Sequence, residues 1–509
     1  MSELLLEICS AEIPARMQES GVAGFGVLLM ENFAGIGHWH NLTLDSWVTP
    51  RRMGYYISNL DLGAVRTGVQ EFRGPKINAP EQAVTGFLSK HGATTKDLVT
   101  KDGYYILLRL QEKTEPSALI ANCIKKTLEE FVWPKSMLEG QHTLRWVRPM
   151  KSILCLLDNE VLDFAHHHIK SGNHTHGHRF MSDELISIRS YEEYKNQLSK
   201  NHVILSQIER RAKILRDIEA QIANLDGKPQ LIVDDALLSE VCGLVEYPHV
   251  LIGHIDPRFM HLPKEVLVIT LKSHQRYLML QYPNGELAPY YVIVANIVPN
   301  DEGITVLAGN NRVLTARLSD AAFFFSQDLE LGIDHMQHQS SVITFHADIG
   351  TLGYKQETVL LVAQKLCTML NVASQTVEIA ISLAKADLSS VMVREFPELQ
   401  GVMGAYYAEK AGYDQDICTA IREHYKPQGP HDVLPSTKEA AIVCIADKLA
   451  VLHLLFNAGI KPTGSKDPYA LRRAALGIWR IVGQFNLRLD FKILGLNSEA
   501  INFLYDKKQ

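Results

Sequence analysis

The densest concentration of chemically capable residues is the stretch Gly459-Ile-Lys-Pro-Thr-Gly-Ser-Lys-Asp-Pro-Tyr-Ala-Leu-Arg-Arg-Ala-Ala-Leu-Gly477. Two glycines and a Ser-Lys pair ahead of two arginines are the materials of a phosphate cradle. A nucleotide-binding P-loop, however, needs Lys directly after the second glycine and a hydroxyl after that Lys, and it follows a strand. Here Ser465 precedes Lys466, Asp467 stands where the hydroxyl would hold Mg²⁺, and the preceding Ala441–Phe456 has helical spacing. The local chemistry fits a helix start better, with Asp467 as N-cap and Pro468 at the first helical position. Leu471, Ala474, Ala475, Ile478 and Val482 then form the apolar stripe, and Arg472, Arg473 and Arg480 lie off it. Lys466, Arg472 and Arg473 are candidates for phosphate contact; a solvated or acid-paired face is the plainer account of the same pattern.

A second constellation is spread over the same part of the chain: His346, Asp387, His424 and Asp447. Imidazoles and carboxylates in this order could converge on one divalent cation. The order resembles that of HD-domain phosphohydrolases, in which a His, a His-Asp pair and a late Asp hold the metal. The position of the paired His is Ala386. The resemblance therefore implies an HD-like scaffold with a degenerate centre and no bound metal, because chemistry follows from the site and not the scaffold.

Six histidines in thirteen positions, His166 to His178, carry no accompanying cysteine or carboxylate and sit among Gly172, Asn173 and Gly177. A polar surface turn is expected. Arginines beside aromatics or turns recur at Pro50-Arg51-Arg52, Arg73-Gly-Pro75, Arg145-Trp-Val-Arg148-Pro149, His178-Arg179-Phe180 and Gln275-Arg276-Tyr277. Arginine gives bidentate phosphate contacts and stacks on bases. Arg145, Arg148, Arg179 and Arg276 are accordingly candidates for an RNA-facing surface.

These residues need elements to hold them. Leu4–Cys9, Gly54–Leu60, Tyr104–Leu110 and Ser152–Leu157 read as strands. A helix is expected after Pro14, through Met17, Val22, Phe25, Leu29 and Phe33. Lys195–Ala223 reads as one long helix with Ile204, Ile208, Ala212, Leu215 and Ile218 on its buried stripe. Asn284-Gly285 between two strand-like runs is a hairpin signal. Beyond about position 330 helical patterns dominate. The expected fold is α+β and multidomain: an N-terminal α+β region over 1–185, a second α+β region with the hairpin over 186–330, a helical domain over 331–486 and a short tail, 487–509.

With 509 residues, 46% apolar and 21% charged, the chain has a soluble globular composition and room for several cores. Its net charge of −6 excludes a protein that binds nucleic acid through bulk positive charge, so any such contact is local. Seven cysteines, no two closer than 26 positions, form no zinc-type spacing and are expected to be reduced and buried, as in a cytoplasmic protein. The longest smooth apolar run, Tyr290–Val298, is too short to span a bilayer, so no membrane role is expected.

Taken together and in order, a dozen blocks resemble the β subunit of bacterial heteromeric glycyl-tRNA synthetase. They include Ala11-Glu-Ile-Pro14, Thr49-Pro-Arg-Arg52, Arg145-Trp-Val-Arg-Pro149, Gly177-His-Arg-Phe180 and Leu244-Val-Glu-Tyr-Pro248. Later blocks are Leu262-Pro-Lys-Glu-Val-Leu267, His274-Gln-Arg-Tyr277, Asn311–Asp320, Leu399–Gly404, Ile445-Ala-Asp-Lys448 and Gly459–Gly477. The resemblance spans roughly positions 4 to 485. It implies a cytoplasmic, tRNA-binding subunit without a catalytic residue of its own, working with an α subunit on tRNA(Gly) in an α2β2 assembly. ATP and Mg²⁺ would be used at the α subunit, with no cofactor on this chain. It also implies a part similar to the B3/B4 region of phenylalanyl-tRNA synthetase ahead of the HD-like domain. The family's helical anticodon-binding domain has no counterpart before the chain stops at Gln509. The alternatives are an HD-type metal phosphohydrolase, or a shortened scaffold that pairs with α without supporting charging.

Overall fold

The run Leu4-Leu-Leu-Glu-Ile-Cys9 is apolar on both alternating faces, as a strand buried on two sides must be. In the computed structural model, which describes residues 2–37, 41–64, 69–101, 103–110, 115–138, 144–182, 184–464 and 466–508, it is β1 (Ser2–Ser10), an inner strand of a seven-stranded sheet. A helix, α1 (Ala15–Ile36), follows, then β2 (Thr43–Val48) and β3 (Arg52–Leu60). β1 pairs antiparallel with β3 on one side and with Met150–Leu157 on the other. Beyond Met150–Leu157 lie Ile169–Gly172, pairing in parallel, and then Ala165–His166. β2 pairs with β3 and ends the sheet among the described residues.

Leu4, Leu6 and Ile8 face α1 and the helix Pro116–Glu130, packing with Phe25, Leu29, Phe33, Ile120, Ile124 and Leu128. Leu5 takes the other face, with Leu154, Leu156, Ile188, Tyr194 and Leu198. The compact unit containing this sheet comprises Met1–Gly253 and Arg276–Leu307. It also holds a three-stranded sheet, Val69–Lys76, Tyr104–Leu110 and Leu98–Lys101, and most of a four-stranded one. The Asn284-Gly285 hairpin joins Leu278–Gln281 to Leu287–Ala295, with Gly285 at φ +86°.

Two expectations for this unit fail for physical reasons. Lys195–Ala223 is two helices, Tyr191–Lys200 and Gln207–Ile222. His202 adopts the left-handed φ of +59° between them, and the Ser206 hydroxyl caps the second helix at Glu209 N, 3.2 Å. That second helix buries Arg210, Ile214 and Ile218, while Ile208 is 82% exposed. The stripe is rotated because Arg210 points inward, where its guanidinium donates to the carbonyls of Ile204, Leu205, Val48 and Cys242. The histidine-rich segment is not a surface turn either. It forms Ala165–His166, Ile169–Gly172 and His174–His176, with His166 and His178 buried.

The second unit, His254–Gln275 with Ala308–Gln509, is helical apart from the small pair Thr344–His346 and Gly350–Thr351. Its axis is the helix Lys438–Asn457, in which every residue from Ala440 to Ala450 is buried. A helix apolar all round sits inside a bundle; here Leu352–Leu370, Gln415–Glu423 and Leu471–Gln484 surround it. Asp447 and Lys448 are carried into the interior by that helix and must be partnered there. All seven cysteines are free and buried, and among the described residues no helix is long and apolar enough to cross a membrane. The fold is thus α+β and multidomain, with a helical C-terminal region.

Candidate functional site

Asp447 is met by two lysines. Lys355, from Leu352–Leu370, donates to Asp447 Oδ1 at 2.7 Å, and the Lys385 ammonium lies 3.7 Å from the same oxygen. Lys385 also lies 2.8 Å from His424 Nε2 and 3.6 Å from the centre of the Tyr425 ring. The His424 Nδ1–H donates to the Ile421 carbonyl at 2.6 Å, so its Nε2 lone pair accepts from Lys385. Burial would raise the Asp447 carboxyl, yet the two ammonium groups outweigh it and hold it far below the usual carboxylate range. Burial lowers both lysines, with Asp447 opposing. Burial, then Lys385, keeps His424 neutral.

Asp387 lies beside this cluster but is held separately. Its Oδ2 accepts the backbone N–H groups of Gly401 and Gly404, at 2.5 and 2.9 Å. Burial raises its carboxyl to about 6, against the lowering by those two bonds. A Cβ at Gly404 would come within 3.2 Å of that oxygen and press on the carboxylate. His346 is directed elsewhere: Nε2 bonds the Tyr469 hydroxyl at 3.0 Å and Nδ1 accepts Asp348 N–H at 3.2 Å. The four sequence-selected residues are therefore not one ligand set. Asp447 and His424 meet two ammonium groups while Asp387 is held by backbone N–H groups, and among the described residues no group of three or more His, Cys, Asp or Glu could hold a metal. A divalent ion would have to displace Lys355 from Asp447 and Lys385 from the His424 lone pair. Neither lysine was singled out from sequence, although Lys385, charged within Ile379–Leu388, carried a usable signal.

The surface candidates divide by their partners. Asp467 caps the helix Leu471–Gln484 from outside it, accepting Leu471 N at 2.9 Å and Arg472 N at 3.0 Å. The chain's own carboxylate thus occupies the positive end of that helix, where a phosphate would otherwise bind. Pro468 and Tyr469 form a turn, and Ala470, at φ +55°, is the cap; the helix starts three residues later than Asp467–Pro468 implied. Ser465 lies outside the described residues. Lys466 is exposed. Arg472 donates to Thr463 O at 2.6 Å and Arg473 to Gln428 O at 3.2 Å. Arg480 holds the same loop through Gly429 O and Asp432 O, both at 2.8 Å.

In the sheet unit Arg145 and Arg148 are exposed beside the short pair Met137–Leu138 and Arg145–Trp146. Arg148 lies 3.4 Å from Met137 Sδ. Arg179 pairs with Glu12 at 3.0 Å and Arg276 with Glu240 at 2.9 Å. The Arg51-Arg52 pair is buried and belongs to no surface. Arg52 Nε meets Glu246 at 2.9 Å, and Nη1 reaches Glu7 at 3.4 Å, Thr175 Oγ1 at 3.2 Å and His176 O at 2.9 Å. Burial opposes its charge, and Glu246 and Glu7 more than offset that, so the guanidinium holds its proton more tightly than usual.

The sequence model described as the glycyl-tRNA synthetase beta subunit matches residues 4–505. The chain belongs to the glycyl-tRNA synthetase beta subunit family. It is 41% identical over 512 residues to a glycine–tRNA ligase beta subunit of Phenylobacterium zucineum, covering 100% of this chain and 76% of that protein. A Ruegeria glycine–tRNA ligase beta subunit is 40% identical over 527 residues, covering 100% and 76%. One from Rickettsia conorii is 39% identical over 512 residues, covering 99% and 74%. Membership in the glycyl-tRNA synthetase beta subunit family places both the buried lysine centre and the arginine-bearing surfaces within the matched span.

Proposed function

We propose that this chain is the tRNA-binding, non-catalytic β subunit of a glycyl-tRNA synthetase. It acts in the cytoplasm with an α subunit in an α2β2 assembly, which attaches glycine to tRNA(Gly) with ATP and Mg²⁺ used at the α subunit. The family match across residues 4–505 carries this reading. The helical unit supports a non-catalytic role. The Ala386-Asp387 pair lacks an imidazole, and Lys355 and Lys385 supply Asp447 with the positive charge a metal would bring. These residues do not fit a divalent cation, which speaks against the metal phosphohydrolase alternative. Arg145, Arg148, Arg179, Arg276, Lys466, Arg472 and Arg473 are the proposed contacts to RNA phosphates.

The test is a charging assay with purified components. Glycine-dependent charging is expected only when this chain and a cognate α subunit are mixed; full-rate charging by α alone overturns the reading. Affinity for tRNA(Gly) measured against salt should fall steeply, since each neutralised phosphate releases counterions.

A further inference from the structure

The free side of β2 is lined by none of the proposed RNA contacts. β2 ends the seven-stranded sheet among the described residues. A cavity of about 810 Å³ is lined by Asp45, Ser46, Trp47 and Val48 on one side. Consecutive strand residues point to opposite faces, so a cavity touching four in a row runs along the strand's edge and not over one face. The opposite wall is Tyr191, Lys195 and Ile204–Glu209, the helix and turn before Arg210. An adjoining cavity of about 440 Å³ shares Val22 and Ser46 and is floored by Ala23, Val27, Met30 and Leu44. Val27 is 59% and Ile208 82% exposed, both large apolar groups held in water.

Trp47 fixes the floor of the slot. Its indole lies over Gly54, where any Cβ would overlap it, stacks on Tyr191 at 5.7 Å and donates to the Tyr194 hydroxyl at 3.2 Å. At roughly 160 Å³ per residue of extended chain, from strand spacing, sheet separation and rise, the larger cavity takes about five residues. Strand β2 itself has six. An edge of this length that pairs with no second strand among the described residues, with only its end at Val48 O taken by Arg210, is a template for strand addition.

Charge selects the occupant. The two cavities are lined by Glu19, Glu31, Asp45, Glu192 and Glu209, and by one basic residue, Lys195, which Glu192 already holds at 2.6 Å. Such a rim repels phosphates and attracts cationic side chains. We propose that the edge of β2 and its slot receive an extended segment of the partner α polypeptide, alternating basic and apolar residues, by strand addition. This rests on the β-subunit reading above.

The test uses the full chain and a purified cognate α subunit, with affinity read by calorimetry. Asp45→Lys with Glu209→Lys is expected to weaken α binding at least tenfold, and Ile208→Asp, at an exposed position, to do the same; both should retain the parent's thermal melt and tRNA affinity. Unchanged α binding by both folded variants overturns the proposal, as does a fall in tRNA affinity or a change in self-association without α. Should the parent chain itself fail to bind α, the β-subunit reading falls first and this inference with it.

Discussion

In the sheet unit the buried ion cluster has one cation and two anions: Arg52 between Glu7 and Glu246. In the helical unit the ratio is reversed, with Lys355 and Lys385 on Asp447. The first uses a planar fork, whose separate N–H groups reach two strands and a loop at once. Hydroxyls complete it: Thr175 and Tyr194 each donate to Glu7 at 2.5 Å, and Thr49 to Glu246 at 2.7 Å. The second uses two point charges converging on one oxygen, and its surplus positive charge is absorbed by the Lys385–His424 bond and the Tyr425 ring. One cluster ties distant segments together through geometry; the other fills a space through charge. A hub that ties should fail when its single centre is removed. A site that is filled should tolerate loss of one of its two fillers.

The largest effects come from removing the odd member of each cluster. Arg52→Met leaves two buried carboxylates and Asp447→Asn two buried ammonium groups; each should cost about 3–5 kcal/mol in urea unfolding. Lys355→Met should cost about 1 kcal/mol or less, because Lys385 still neutralises Asp447. An equal loss for the Lys355 and Asp447 changes would end the contrast. Between these lies Asp387→Ala, which strips the Gly401 and Gly404 N–H groups of their acceptor and should cost about 2–3 kcal/mol, whereas Asp387→Asn keeps an acceptor and should cost less.

Burial, then His167 and Lys125, lowers His166 to about 4. Below pH 6.5 the unfolded chain takes up a proton that the folded chain refuses, so stability falls as pH drops toward 4, by about 2 kcal/mol at pH 5. His166→Leu should remove that part of the slope in pH-dependent melts. The smallest expected change in stability is Arg473→Ala, within about 0.5 kcal/mol, accompanied by weaker tRNA binding in a filter or calorimetric assay. A large drop in melting temperature would instead make Arg473 a brace for the Gln428–Asp432 loop.

Strands β1 and β3, helix α1 and the Asn284-Gly285 hairpin were legible in the sequence because periodicity and turn chemistry act locally. The break at 201–206 was not, since it depends on a buried Arg210 whose acceptors come partly from positions 48 and 242. Likewise the HD-like order pointed to His424 and Asp447, but could not say that Lys355 and Lys385 stand between them. A lysine in an apolar run reads as a surface stem until a carboxylate from another helix is placed opposite. Arg52 misled in the other sense: beside Arg51 and Pro50 it resembled an RNA-facing pair, and only the sheet shows Glu7 one strand away.

Arg210 has a consequence for kinetics. Its guanidinium holds Val48 O, at the end of β2, and Ile204 O and Leu205 O, on the facing wall, at 2.9, 2.7 and 2.9 Å. Burial lowers this arginine only to about 10, so it stays charged at neutral pH and grips both sides continuously. A gap clamped in this way is open before anything arrives. Its occupant pays the ordering entropy alone, and the encounter is gated by diffusion and charge, with no slow rearrangement of the host to wait for.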